Sequence, residues 1–181
     1  MEHESLIKRM DISDSDITFE KMYEKSFIPK EYIEDIKKAN LLIIPNEGRY
    51  NKDDILFPET TRDFFDFIRE SNNDIVTDIA ISDADFQSLE LHSAVIEVAT
   101  IIIEHPIYDI AVGLIASFLY DYLKKHHRKA NETNAKVTII SEESKTKTSK
   151  TITYEGPVSG IEESLRKVSM EIFGDVHEND D

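Results

Sequence analysis

Residues 106–127, PIYDIAVGLIASFLYDYLKKHH, leave a chain few ways to fold. Pro106 suits a first helical position, where its missing N–H costs nothing. Ile107, Ile110, Leu114 and Phe118 recur at spacings of three and four, the mark of one helical face, and Ala111, Ile115, Leu119 and Tyr122 make a second. A helix that is apolar on nearly every side is buried on most of its surface or lies in a membrane. The apolar run from Ile110 to Tyr120 falls short of the roughly 20 residues a bilayer needs. Asp109 and Asp121 bracket it, and carboxylates are costly in lipid. The expectation is therefore a central core helix with no membrane role. Gly113 and Ser117, four apart, leave a groove where another helix can approach, with Tyr120 beside it. Lys124, Lys125 and Arg128 crowd the C-terminal exit, where the helix dipole favours cations. Gly113, Ser117, Tyr120, Lys124, Lys125 and Arg128 are the candidate interface residues, should the second apolar face meet another subunit.

Around this helix the chain alternates between strand and helix patterns. Residues 1–28 are polar and read as a peripheral acidic arm, with helical turns at Leu6, Ile7 and Met10 and at Phe19, Met22, Tyr23 and Phe27. Pro29 opens a helix over PKEYIEDIKKAN with Tyr32, Ile33 and Ile36 inward. Leu41–Ile44 is a short continuous apolar run, read as a buried central strand. Thr60 or Thr61 is placed to cap TTRDFFDFIRES, whose Phe64, Phe65 and Ile68 share a face. Asp74–Ser82 alternates and is rich in β-branched residues. Asp83 can cap a helical turn reaching Leu91, and Val95–Ile103 is the strongest strand-former of the chain. Lys136–Glu142 and Lys150–Tyr154 predict a β-hairpin, followed by a turn at Glu155-Gly156-Pro157 and an amphipathic helix with Ile161, Leu165, Val168 and Ile172 on one face. Residues 175–181 read as a disordered acidic tail. The fold class expected is α/β, with α+β possible: one domain over 29–174, a small mixed sheet, the long hydrophobic helix, a C-terminal hairpin and a terminal helix.

Charge narrows the partners. The formal net charge is −16, which favours solubility and repels nucleic acid and anionic lipid. Residues 124–150 run against this trend with a local balance of +5, leaving −21 on the rest. Such bipolarity suits self-association, or docking of a basic partner on the acidic part. The basic stretch lacks interleaved aromatics, so no nucleic acid is expected. The chain has no cysteine, hence no disulfide, thiolate metal site or cysteine nucleophile. Its N-terminus is acidic and lacks an apolar core of the secretory kind, and a cytoplasmic location is the expectation.

The succession IAVGLIASFLYDYLKKHHRK, KVTIISEES, KTITYEGP and VSGIEESLRKV, over residues 106–172, resembles the effector-associated constant component modules of bacterial conflict systems. There too a hydrophobic helix with a basic exit precedes a hairpin and a helix. The resemblance implies a coupling module that binds protein, with no catalytic residues to carry over. It leaves the first 100 residues unassigned, and no attached effector domain is recognisable.

Two constellations bear on chemistry. Asp78, Asp83, Asp85, Glu90 and His92 follow a strand, and oxygen ligands with a histidine suit a divalent cation and a metal-dependent hydrolase or nuclease. The spacing matches no zinc helix motif, and clusters of this kind arise by chance among 37 acidic residues, as Glu97, Glu104 and His105 nearby illustrate. Glu47 and Arg49 follow the first buried strand, where ligands gather in α/β sheets. Gly48 between them predicts a loop with positive φ, and Glu59 and Arg62 would strengthen a site if they converged there. Five glycines, with no P-loop, no G-x-G-x-x-G and no G-x-S-x-G elbow, argue against a glycine-rich nucleotide site or a serine hydrolase. The leading expectation is a non-enzymatic interaction subunit of a bacterial defence system, self-associating or bound to a basic effector subunit, with no cofactor. The metal-dependent enzyme and an acidic, antitoxin-like inhibitor covering a basic partner are the alternatives.

Overall fold

The computed structural model describes residues 8–48, 53–71, 74–89, 94–143 and 145–173. The chain opens with β1 (Arg9–Ser15) and a short α1 (Phe19–Tyr23). A 3-10 turn leads into α2 (Ile33–Ile36), then β2 (Leu41–Ile44), β3 (Asn46–Glu47), β4 (Ile55–Pro58) and α3 (Thr61–Glu70). β5 (Thr77–Ile79), β6 (Ser88–Leu89), β7 (Ile96–Glu97) and β8 (Thr100–Glu104) precede the long helix α4 (Tyr108–Lys125). β9 (Asn134–Glu143), β10 (Thr148–Pro157) and α5 (Ile161–Phe173) complete the fold.

The main sheet has seven strands in the order β1-β10-β9-β8-β2-β5, with β7 also pairing β9. It is mixed. β8 and β9 are parallel neighbours, as are β2 and β5, while β2–β8, β9–β10 and β1–β10 are antiparallel. Parallel neighbours need a crossover; α4 supplies it between β8 and β9, and α3 lies in the connection between β2 and β5. Leu41–Ile44 is buried on both faces, as its continuous apolar run predicts for a central strand. The fold is thus mixed α/β, with the long helix, the C-terminal strand pair and the terminal helix in their expected order.

Two cores flank the sheet. The larger joins α3, α4 and α5 to Leu41, Ile43, Ile101, Ile103, Val137, Ile139, Ile152 and Tyr154. The smaller packs Phe19, Met22, Ile28 and Ile36, from α1, α2 and the segment between them, onto Leu42, Ile44, Ile102 and Ile140. Alternate residues of β2, β8 and β9 therefore serve opposite cores, the period-two rule in its plainest form.

The structure redraws several sequence-based expectations. The segment read as a peripheral arm supplies the edge strand β1 and the helix α1. Met10 lies in β1 and packs on the larger core, so its period is that of a strand, not of a helical turn; Leu6 and Ile7 lie outside the described residues. The helix expected from Pro29 to Asn40 is only two short turns, and Tyr32 faces solvent at 45% exposure. The expected turn at Glu155-Gly156-Pro157 is the end of β10, paired with Lys136, Ala135 and Asn134; Pro157 is tolerated there because it ends the strand. Among the described residues no helical turn lies between Asp83 and Leu89. Ser82 and Asp85 close a tight turn instead, and β6 follows. Val95–Ile103 divides into β7 and β8, both laid along β9. The acidic tail lies outside the described residues.

Candidate functional site

α4 crosses the sheet with Tyr108, Ala111, Val112, Ile115, Ala116, Phe118, Leu119 and Leu123 buried. Including the turn before it, the helix runs from His105 to Lys125, 21 residues, long and apolar enough by length and composition to cross a membrane. Here its apolar faces are spent on the sheet, α3 and α5. Phe118 meets Phe64 and Phe67 of α3 at ring centroid distances of 5.1 and 5.7 Å. The Tyr108 hydroxyl donates to the Leu165 carbonyl of α5 at 2.8 Å. One stripe stays outside. Ile110 is 45% and Tyr120 46% exposed, with Ser117 exposed and Gly113 and Leu114 half-buried between them. Lys124 and Lys125 continue the stripe into solvent, Lys125 pairing with Asp121 at 3.1 Å.

The expected interface residues separate accordingly. Ser117, Tyr120, Lys124 and Lys125 lie on the open side. Gly113 is approached by the chain's own α5: a Cβ there would meet the Arg166 guanidinium at 3.5 Å. That guanidinium also bonds Glu162 and lies 3.9 Å from Asp109. Arg128 turns inward, donating to the Ala94 carbonyl at 2.7 Å and lining a small cavity with Glu59, Glu97 and Tyr122. The helix ends with His127 at φ 53°, and Arg128 N–H returns to the Leu123 carbonyl at 2.9 Å, the bond that closes a left-handed cap.

The candidate metal cluster is not assembled among the described residues. Asp78 caps its neighbour, accepting from Ile79 N–H at 2.8 Å. Burial raises its pKa most, Asp35 and Asp83 raise it further, and the Ile79 bond and Arg69 oppose them. Asp85 accepts from the Ser82 hydroxyl at 2.8 Å. Glu90 and His92 lie outside the described residues, and among those described no three acidic or histidine side chains are placed to share an ion. Glu47 pairs with Lys25 at 3.1 Å, and Arg49 lies outside the described residues. Glu59 faces the Arg128 cavity, while Arg62 stacks on Phe86 at 4.3 Å, so the two have separate partners and do not join Glu47. Gly48 does adopt positive φ, 65°, and closes its loop through Asp54.

A feature not foreseen lies on the opposite face. Glu104 and Glu142 are register partners at the carboxyl ends of the parallel strands β8 and β9. Glu142 lines a cleft of about 550 Å³ together with Phe19, Tyr23, Ile33, Lys37 and Lys147. Burial raises the Glu142 pKa first, and Glu104 and Glu20 raise it further; a hydrogen bond from Phe19 N–H and the charge of Lys147 hold it back. The Tyr23 hydroxyl is raised by burial and by both carboxylates. The succession of strand, helix and strand from β8 through α4 to β9 is the sequence signal that predicts such neighbours.

Comparison of the chain with protein-family models, curated proteins and solved structures finds no match.

Proposed function

We propose that this chain is a non-enzymatic interaction subunit that docks a protein partner on the outer stripe of α4. The observation carrying this reading is the solvent exposure of Ile110 and Tyr120 on a helix otherwise committed to the core. Large apolar side chains aligned on one side of a rigid helix are an inexpensive docking surface, since little chain must be ordered on binding. The basic exit at Lys124 and Lys125 gives the stripe a charged end, on a molecule of net charge −16, and so favours one orientation of an acidic face over another. The acidic remainder of a second copy, with −21 outside residues 124–150, suits that requirement. The likeness of residues 106–172 to conflict-system coupling modules points the same way, towards a bacterial defence role.

The chain lacks cysteine, so Ser117→Cys creates a single thiol in the middle of the stripe. Maleimide labelling of that thiol should slow as protein concentration rises, because the docked copy covers it. Labelling at one rate across dilute and concentrated samples would sink the self-docking form of the proposal.

A further inference from the structure

We infer that the groove between α3 and α4 seats an arginine-bearing, extended segment of a protein partner. The groove holds about 280 Å³. Its floor is aromatic: Phe67 of α3 with Phe118 and Tyr122 of α4, Phe118 buried and the other two half-buried. Its rim is acidic. Asp63, Asp66 and Glu70 come from α3 and Asp121 from α4. Lys125 also stands at the rim, already paired with Asp121 at 3.1 Å. His126 closes one end, stacked on Tyr122 with ring centroids 4.1 Å apart and its Nδ1 2.8 Å from the Tyr122 carbonyl oxygen. These are other residues of α4 than those of the outer stripe, and the inference does not rest on that stripe docking anything.

Helix energetics alone do not account for this rim. Asp63 and Asp66 are three positions apart and Asp66 and Glu70 four, spacings at which like charges on a helix repel. The helix dipole favours Asp63 in the first turn but disfavours Glu70 in the last. None of the three has an ion pair among the described residues. The arginines of α3 are engaged elsewhere, Arg62 over the Phe86 ring at 4.3 Å and Arg69 over the Phe65 ring at 5.3 Å. A cation from outside the chain would answer these carboxylates and lie on the aromatic floor at once.

Three observations select the occupant. Asp63 and Glu70 lie seven positions apart, about 10 Å along the helix, so the carboxylates form a row. Such a row matches successive cations on an extended chain, where alternate residues stand about 7 Å apart, better than one small ion. The floor selects arginine over lysine, because a guanidinium stacks flat on an aromatic ring while its edge meets a carboxylate. α3 already makes the stacking contact twice with its own arginines. A second copy does not supply the segment. Its basic stretch, residues 124–150, contains one arginine, Arg128, whose guanidinium is turned inward to the Ala94 carbonyl at 2.7 Å.

The test reads peptide binding, not assembly mass, so its outcome is separate from that of the α4 stripe. In fluorescence anisotropy with the full chain, a dye-labelled GRGRG peptide should bind about fivefold or more tighter than GKGKG of equal charge. Asp66→Asn/Glu70→Gln should weaken GRGRG binding about tenfold or more. Asp11→Asn/Glu31→Gln, which removes the same charge at exposed positions outside the groove, should change it less than about twofold. The urea midpoint of the groove variant should stay in place or rise, since repulsion along α3 is relieved. Phe67→Leu should remove the preference for GRGRG over GKGKG. The inference is overturned by a GRGRG peptide that does not bind the unaltered chain, or that binds no better than GKGKG. Equal losses in the groove variant and the control variant overturn it as well. Acetylarginine amide competing as tightly as the peptide would make the groove a site for a small cation and overturn the partner reading.

Discussion

Tyr108 shows how much of this fold hangs on single polar atoms. Its ring is buried and its hydroxyl is the link from α4 to the α5 backbone. Burial also pushes its pKa well up, so it stays a donor across the usable pH range. Tyr108→Phe should cost about 1–2 kcal/mol in urea unfolding, the usual loss when a buried acceptor is left short of a partner. At the other end of α4, His127 occupies a left-handed position that glycine takes at little cost. His127→Gly should raise stability by about 1 kcal/mol in the same assay. Positive φ at Gly48 was legible in the sequence because only turn chemistry explains a lone glycine there. The part played by Thr60 was not. It starts α3 without capping it, and its hydroxyl donates to the Glu97 carbonyl instead, at 2.7 Å. Nothing in sequence spacing marks a contact that spans 37 positions.

At the level of elements, periodicity located what is long and buried. α4 was legible because its apolar residues fill two faces; Ala111, Ile115, Phe118 and Leu119 are buried in the structure, Ile107, Leu114 and Tyr122 are half-buried and Ile110 is exposed. Ile115→Ala should cost about 2–5 kcal/mol through lost burial and an unfilled cavity, read from the shift of the denaturation midpoint. Ile110→Glu and Tyr120→Glu, on the open stripe, should change stability by less than about 0.5 kcal/mol. That contrast is what makes these two positions usable for testing docking without unfolding the protein. Short elements were misread for identifiable reasons. β1 carries only Met10 and Ile12 as apolar residues, so its alternation is faint against a polar background. The end of β10 contains glycine and proline, which announce a turn locally but are held in register by β9. Both cases are tertiary pairing overriding local preference.

Over the whole molecule, charge and topology act together. The parallel pairing of β8 and β9 places Glu104 beside Glu142, although 37 residues lie between them in sequence. The succession of strand, helix and strand from β8 through α4 to β9 is the pattern of such a pairing, whereas the adjacency of β9 and β10 in the chain marks only the hairpin. Glu142 and Asp78 both have folded pKa values raised from the ordinary carboxyl value, with burial as the main cause. The native state then binds more protons than the unfolded chain, so their contribution falls as pH rises through the folded pKa and is regained on acidification towards the unfolded one. Thermal unfolding should therefore occur at a higher temperature at about pH 5.5 than at pH 8, where self-repulsion is also greater. Glu142→Gln, which keeps an acceptor for Phe19 N–H, should stabilise the protein at pH 8 by no more than about 1 kcal/mol, given its partial exposure. That difference should shrink as the pH approaches 4.

The central claim is that the outer stripe of α4 is a docking surface. Its most direct test is the molar mass in solution, by light scattering after size exclusion, of the unaltered chain and of Ile110→Glu/Tyr120→Glu, at low and high salt. The expected result is an assembly larger than the 20.9 kDa single chain that loses mass in the double variant while the variant's unfolding curve stays in place. An unaltered chain that elutes at the single-chain mass throughout, or an assembly that the double variant leaves intact, would contradict it.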